Sequence, residues 1–193
     1  MTADERRKVI AAAALRIFAR KGYHRAGTAE IAAAAGCSEA LLYRHFSSKH
    51  ELLVGVLHEG ANTVTERLYD AVTDAEDPFA ELCSRWAQLA ADEDYRDVLR
   101  VRAQAGTMAD DPDLRRALRG IRENFRAILR EALEISRDRG HIRPELDIEA
   151  LGRLYSGLTF AAAFSTVVEG PSEIDRLARA AQTLVAAVRP LDP

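Results

Sequence analysis

The residues whose types and spacing could do chemistry are concentrated between Thr28 and Leu53, in the run TAEIAAAAGCSEALLYRHFSSKHELL. That chemistry is non-covalent recognition of an anionic polymer. Thr28 opens an apolar-periodic run with the hydroxyl that an N-cap needs, so a hydroxyl and a helix N-terminus can meet one phosphate. Ser38, Glu39, Ala40 and Arg44 fall on a second short helix, where they can face base edges. Arg44 has the donors for guanine and equally suits a phosphate, while Glu39 can accept from the cytosine amino group. Tyr43 and His45, two apart, project toward flanking phosphates; core packing and helix capping are the competing uses. Lys49 opens the next helix as a point charge. Arg25, in the connector before Thr28, can reach the minor-groove side.

No catalytic pattern competes with this reading. The chain has no GxGxxG, P-loop, HExxH or GxSxG. Its five histidines are not grouped at ligand spacing, so neither a metal nor any other cofactor is expected and the chain is read as a non-enzyme. An all-helical enzyme is the distant alternative. Cys37 and Cys83 form no CxxC, which fits a reducing cytoplasm. No stretch approaches the ~20 apolar residues of a membrane span, and the N-terminus carries no signal-peptide pattern.

These side chains need a scaffold that holds two short helices at a fixed angle. Ala32 and Gly36, four apart, permit close helix contact, and Gly36-Cys37-Ser38 makes a turn that tolerates positive φ. Ile31, Ala35 and Leu42 lock both helices to the body. Upstream, a helix over residues 4–20 carries Val9, Ala13, Ile17 and Phe18 at helical spacing and stops at Gly22. Downstream, the punctuation at residues 73–78, 92–94, 109–113, 140–147 and 170–172 predicts six further helices. With no alternating apolar strands, the fold class is all-α: about nine helices, a three-helix head on a helical-bundle body.

The string from Ile31 to Leu53 resembles the DNA-binding segment of the tetracycline-repressor-like (TetR/AcrR) family of bacterial transcription regulators. The agreement is at Ile31, Ala32, Ala35, Gly36, Ser38, Leu42, Tyr43, His45, Phe46, Lys49 and Leu52, with departures at Cys37 and Ala40. Phe18, Gly22, Tyr23 and Thr28 also match, so the resemblance covers roughly residues 6–55. It implies a DNA-binding domain at 1–50 and a ligand-binding and dimerisation domain at 51–193. It further implies a homodimer on a near-palindromic double-stranded DNA operator, and a small-molecule effector in the body whose binding shifts the fourth helix. The nearer alternative is a DNA-binding regulator without small-molecule sensing.

Charge agrees with a head that points at phosphates. Residues 1–55 hold nine Lys/Arg against five acids, a net +4, and the other 138 residues carry the balance of the chain's −3, a net −7. In the body, the resemblance points to a cavity within the fourth to eighth helices. Its candidate liners are His58, Trp86, Leu89, Val101, Arg102 and Met108, then Phe125, Leu129, Tyr155, Thr159 and Phe164, each with plain core as the competing role. Arg102, flanked by Val98, Leu99 and Val101, suits an anionic ligand or a partner such as Glu131 or Glu134. Cys83 reads as core or as a thiol sensor. One recognition helix reads few base pairs, so a twin is expected, with recognition helices about 34–36 Å apart. The two-faced last helices supply the interface candidates: Leu151, Leu154, Tyr155, Leu158 and Ala162 on the eighth, Ile174, Leu177, Ala181 and Leu184 on the ninth.

Overall fold

Capping residues, glycines and prolines divide the chain into helices. Thr2 and Glu5 form a reciprocal capping box at the start of α1 (Ala3–Lys21). Gly22, at φ 82°, takes the left-handed conformation that ends it. α2 (Thr28–Ala34) and α3 (Glu39–His45) follow, joined by a turn in which Gly36 has φ 62°. Ser48 caps α4 (Lys49–Thr73), its hydroxyl accepting from the Glu51 N–H at 3.0 Å. Asp77, Asp92 and Asp111 cap α5 (Pro78–Ala91), α6 (Glu93–Gly106) and α7 (Pro112–Asp138), two of them with proline at the first helical position. α8 (Ile148–Val168) and α9 (Pro171–Val188) complete the chain.

This computed structural model describes residues 1–168 and 171–190, without the side chains at 70, 71, 73, 87, 90, 91, 162–164, 166–168, 171–174 and 177. Among the described residues there are nine α-helices and no strand, the all-α fold expected from the sequence. Among them, too, no helix is long and apolar enough to cross a membrane.

Two apolar cores hold the helices together. The body core joins α4, α5, α6, α7, α8 and α9 around Trp86, Tyr155, Phe79, Leu82, Leu129 and Leu133. Phe79 and Phe125 pack on the Tyr155 ring at centroid distances of 5.8 and 6.2 Å. Ser136, fully buried, accepts from the Phe79 N–H and donates to Asp77, which pins the start of α5 to α7. The head core is built on Ile10, Ala14, Phe18, Ile31, Leu42 and Phe46. It does not close at residue 50: Leu52, Leu53, Val56 and Leu57 of α4, Val101 and Ala105 of α6, and Leu114, Ala117 and Ile121 of α7 belong to it. One end of the body is therefore part of the head's own foundation.

Candidate nucleic-acid interface

α2 and α3 meet at three side chains that the sequence separates by up to 15 positions. Thr28 donates its hydroxyl proton to the Glu39 carboxylate, and the Tyr43 hydroxyl lies 3.3 Å from the same oxygen. Since the Thr28 proton is committed to Glu39, Tyr43 is the donor in the second bond, and a directed chain Tyr43 to Thr28 to Glu39 crosses the head. Glu39 and Tyr43 are exposed and Thr28 half-buried. Thr28 is not the N-cap expected from the sequence. Gly27 holds that position, with no side-chain cap bond, and the Thr28 hydroxyl is turned across to α3 instead.

Around this chain stand the other predicted contacts. Ala40 and Arg44 are exposed on α3. Ser38 is the N-cap of α3, its hydroxyl oxygen accepting from the Leu41 N–H at 3.2 Å, so its remaining capacity toward a base is its own proton. Arg25 is exposed, and its Nε donates to the Lys21 carbonyl at 2.9 Å, closing the end of α1. His45 is half-buried, and its carbonyl accepts from Arg7. Lys49 reaches back to the connector: its ammonium donates to the His24 carbonyl at 3.2 Å and lies 4.7 Å above the Tyr23 ring. Partial burial lowers its pKa. An ammonium has three donors, so two stay available for a phosphate.

The head is fastened to the body by polar and packing contacts. Gln104 of α6 accepts from the Tyr23 N–H and donates to the Phe18 carbonyl, both at 3.1 Å, gripping the end of α1 and the connector after it. Gly55 of α4 lies against the Phe46 ring so closely that a Cβ there would stand 2.6 Å from Phe46 Cε1. His50 Nε2 is 2.9 Å from Asp111 Oδ2, and Asp113 is close by, a grouping that spacing along the chain hides. Asp111 caps α7 with its other oxygen and Asp113 pairs with Arg116, so these groups serve the joint. Hydrogen bonds from the α7 backbone, then His50, hold the Asp111 carboxyl below its usual range. Arg7 stacks 3.9 Å over Phe46 and pairs with Glu51 at 3.5 Å, tying α1 to the start of α4.

The predicted pocket residues do not form one lining. Trp86, Leu89, Leu129 and Tyr155 are buried in the body core, Trp86 donating its indole N–H to the Tyr95 hydroxyl at 3.1 Å. Val101 and Met108 belong to the head core instead, because α6 is shared by both cores. His58 is exposed, beside a surface groove with Ser47, His50 and Asp113, and is corrected from pocket liner to surface residue. Arg102, Phe125 and Thr159 do converge, on a small cavity of about 50 Å³ between α4, α6, α7 and α8. Phe164 lies outside the described side chains. Arg102 has neither Glu131 nor Glu134 as an ion-pair partner among the described residues; both are exposed elsewhere on α7. Its side chain is half-buried, and desolvation lowers its pKa. Cys83 is a core residue whose thiol burial pushes up to about 12, which removes the thiolate a redox sensor needs.

The predicted interface residues divide similarly. Leu151, Tyr155 and Ala181 are buried within the subunit's own core, and Leu158 and Leu184 pack against it. Leu151, Tyr155 and Ala181 are thereby corrected from interface to core, while Leu158 and Leu184 are half-buried and keep an accessible edge. Leu154 remains outside, 60 % exposed. The side chains of Ala162, Ile174 and Leu177 lie outside the described residues. Sequence reasoning missed Phe160, the most exposed large apolar side chain of the body among the described residues at 70 %.

The model of the family described as "Bacterial regulatory proteins, tetR family" matches residues 10–56, the head and the first turns of α4. The transcriptional activator FasR of Mycolicibacterium smegmatis is 44 % identical over 69 residues, 36 % of this chain; the match spans about a third of FasR, 32 % of its length. A complex of SmeT with triclosan has the same fold at TM-score 0.80 and 22 % identity, covering 96 % of this chain and 92 % of SmeT; SmeT is the repressor of a Stenotrophomonas maltophilia multidrug efflux pump. FadR of Bacillus subtilis in complex with stearoyl-CoA has it at TM-score 0.75 and 21 % identity, covering 94 % of this chain and 98 % of FadR. The helix-turn-helix head, residues 10–56, thus matches the tetR family of bacterial regulatory proteins, and the chain shares its all-helical fold with SmeT and FadR.

Proposed function

We propose that this regulator is a repressor that binds a near-palindromic double-stranded DNA operator as a homodimer and is released by a small-molecule effector. In this reading residues 1–50 are the DNA-binding domain and residues 51–193 the effector and dimerisation domain, working in the cytoplasm without enzymatic activity. The observation that carries it is the polar chain Tyr43–Thr28–Glu39 across α2 and α3, with Arg25, Arg44 and Lys49 around it. It offers hydroxyls and cations to phosphates and a carboxylate to a base edge. Leu154, apolar and exposed on α8, supports a partner copy on that face. The effector part is supported by SmeT and FadR, which share the fold and are described with triclosan and stearoyl-CoA.

The test is a gel shift of the purified chain on DNA upstream of its own gene and on a random pool. A salt-sensitive complex at a near-palindrome is expected, weakened across sequences by Tyr43→Ala, with transcription from that site reduced in vitro. If neither DNA source yields a retained complex, the reading fails. If the complex raises transcription, the protein is an activator, the sign FasR's description carries.

A further inference from the structure

A groove of about 440 Å³ runs between α6 and α7 and is distinct in its charge. Arg102, Arg115, Arg119 and Arg122 line it, and no carboxylate does. Elsewhere the arginines are mostly engaged: Arg67 pairs with Asp92, Arg96 and Arg100 with Glu93, Arg130 with Glu149. In the groove Arg115 donates to the carbonyls of Ala109 and Asp110, while Arg102, Arg119 and Arg122 make no ion pair among the described residues. The rest of the lining is Ala103, Leu118 and Phe160 with small or polar neighbours. Arg102, Arg122 and Phe160 also line the 50 Å³ cavity behind it, where the buried Ser156 hydroxyl has no hydrogen-bond partner.

A partly buried guanidinium without a counter-charge is costly, and so is a cluster of cations with no anion among them. A ligand that brings negative charge removes both costs, and the apolar wall needs a ligand with more than a charged group. We propose that this groove is the effector site and takes an amphipathic organic anion. Its carboxylate or phosphate is held by Arg102, Arg119 and Arg122, and its apolar body lies along Ala103, Leu118 and Phe160. The volume is within the range of sites that enclose most of a small ligand. This deepens the proposal of a small-molecule effector and rests on it. It also gives the effector a route to DNA: Gln104, which grips the end of α1, lies on α6 between the liners Arg102 and Gly106.

The test is calorimetric titration of the full chain, without DNA, with decyl phosphate, decanoate, decanol and inorganic phosphate, all below micelle formation. At least one of the two amphipathic anions should bind about tenfold or more tighter than decanol and than inorganic phosphate, the preferred one identifying the head group. The exposed double variant Arg119→Ala/Arg122→Ala should lose that advantage with decanol binding unchanged and its helical circular dichroism intact. Equal binding of decanol, equal binding of inorganic phosphate, an unaffected double variant, or no binding by either amphipathic anion overturns the assignment. Because no DNA is present, the result is independent of operator binding. An anion that binds but does not release DNA leaves the site standing and removes the release step. A different compound that releases DNA leaves that step standing and removes this site.

Discussion

Thr28 hands its hydroxyl proton to Glu39 across the helix-turn-helix, so each of these two side chains already has a partner within the head. A phosphate approaching Thr28 competes with Glu39 for that proton, and a base edge competes with Thr28 for the carboxylate. Glu39→Ala removes one acceptor for a cytosine amino group and one negative charge. Discrimination at a single base-pair position should relax by about 1–3 kcal/mol, while affinity for unrelated DNA rises. Gel shifts over a set of single-base operator variants measure both; unchanged preference at every position would exclude base reading by Glu39.

Lys49 should act without regard to sequence. Its ammonium is anchored on the His24 carbonyl and keeps two donors for the backbone. Lys49→Ala is expected to weaken all sites alike and to reduce the slope of log affinity against log salt by about 1. A loss confined to the operator, with an unaltered slope, would assign Lys49 to positioning the connector.

How much of this was legible in the sequence depends on the kind of signal. Helix limits were legible because residues with a single physical use mark them: Gly22 and Gly36 at positive φ, Pro78 and Pro112 at first helical positions. Thr28 was legible as a polar contact but not as a partner of Glu39, since an N-cap and a cross-helix donor look alike in one dimension. The body was harder. α8 has apolar residues nearly all round, so period alone could not tell that Leu151 and Tyr155 face inward and Leu154 outward. α6 serves two cores, so Val101 and Arg102, adjacent in sequence, end in different places. That the arginines of α7 share a groove with Arg102 shows only once α6 is laid beside them.

The stability of the joint between α1, α3 and α4 should depend on pH through Glu51. Its carboxylate accepts from the Ser47 hydroxyl at 2.6 Å and the Ser47 N–H at 2.7 Å, with Arg7 beside it. Those hydrogen bonds, the Ser47 hydroxyl first, hold its pKa below the ordinary value. With the folded pKa depressed, the stabilisation is complete above the unfolded value, about 4.3, and is lost as pH falls through the folded one. Glu51→Gln should therefore melt below the wild type at neutral pH and show a shallower decline of melting temperature in acid. Because Glu51 is partly exposed, added salt shrinks the difference. Parallel wild-type and variant curves down to low pH would remove Glu51 from the account.

Leu154 gives the most direct test of pairing. Apolar and 60 % exposed on α8, it leaves the subunit's own core untouched when replaced. Leu154→Arg should keep the helical circular dichroism, elute at monomer mass and lose operator binding by far more than binding to one half-site. A dimer that survives this change places its interface elsewhere.

Gly55 tests how tightly the recognition helix is held to α4. A methyl at this position meets the Phe46 ring well inside contact distance, and that ring is fully buried with Arg7 on its other face. Gly55→Ala should cost about 1–3 kcal/mol by overpacking, read by thermal or urea unfolding. It should also alter DNA affinity, because the strain is relieved at the end of α3. A variant as stable as the wild type would mean that the ring can swing aside.

That contact sets the gearing of the molecule. α4 has 25 residues, a rod of about 37 Å at 1.5 Å per residue, and Phe46 rides on it near one end with no slack between ring and backbone. A tilt of roughly 5° about the far end would carry the near end through about 3 Å, as rise per residue and simple trigonometry require. In a symmetric pair the two displacements add, to about 6 Å against a groove-to-groove repeat of about 34 Å. In the proposed pair, a tilt of that size is then enough to put the two heads out of step with the double helix.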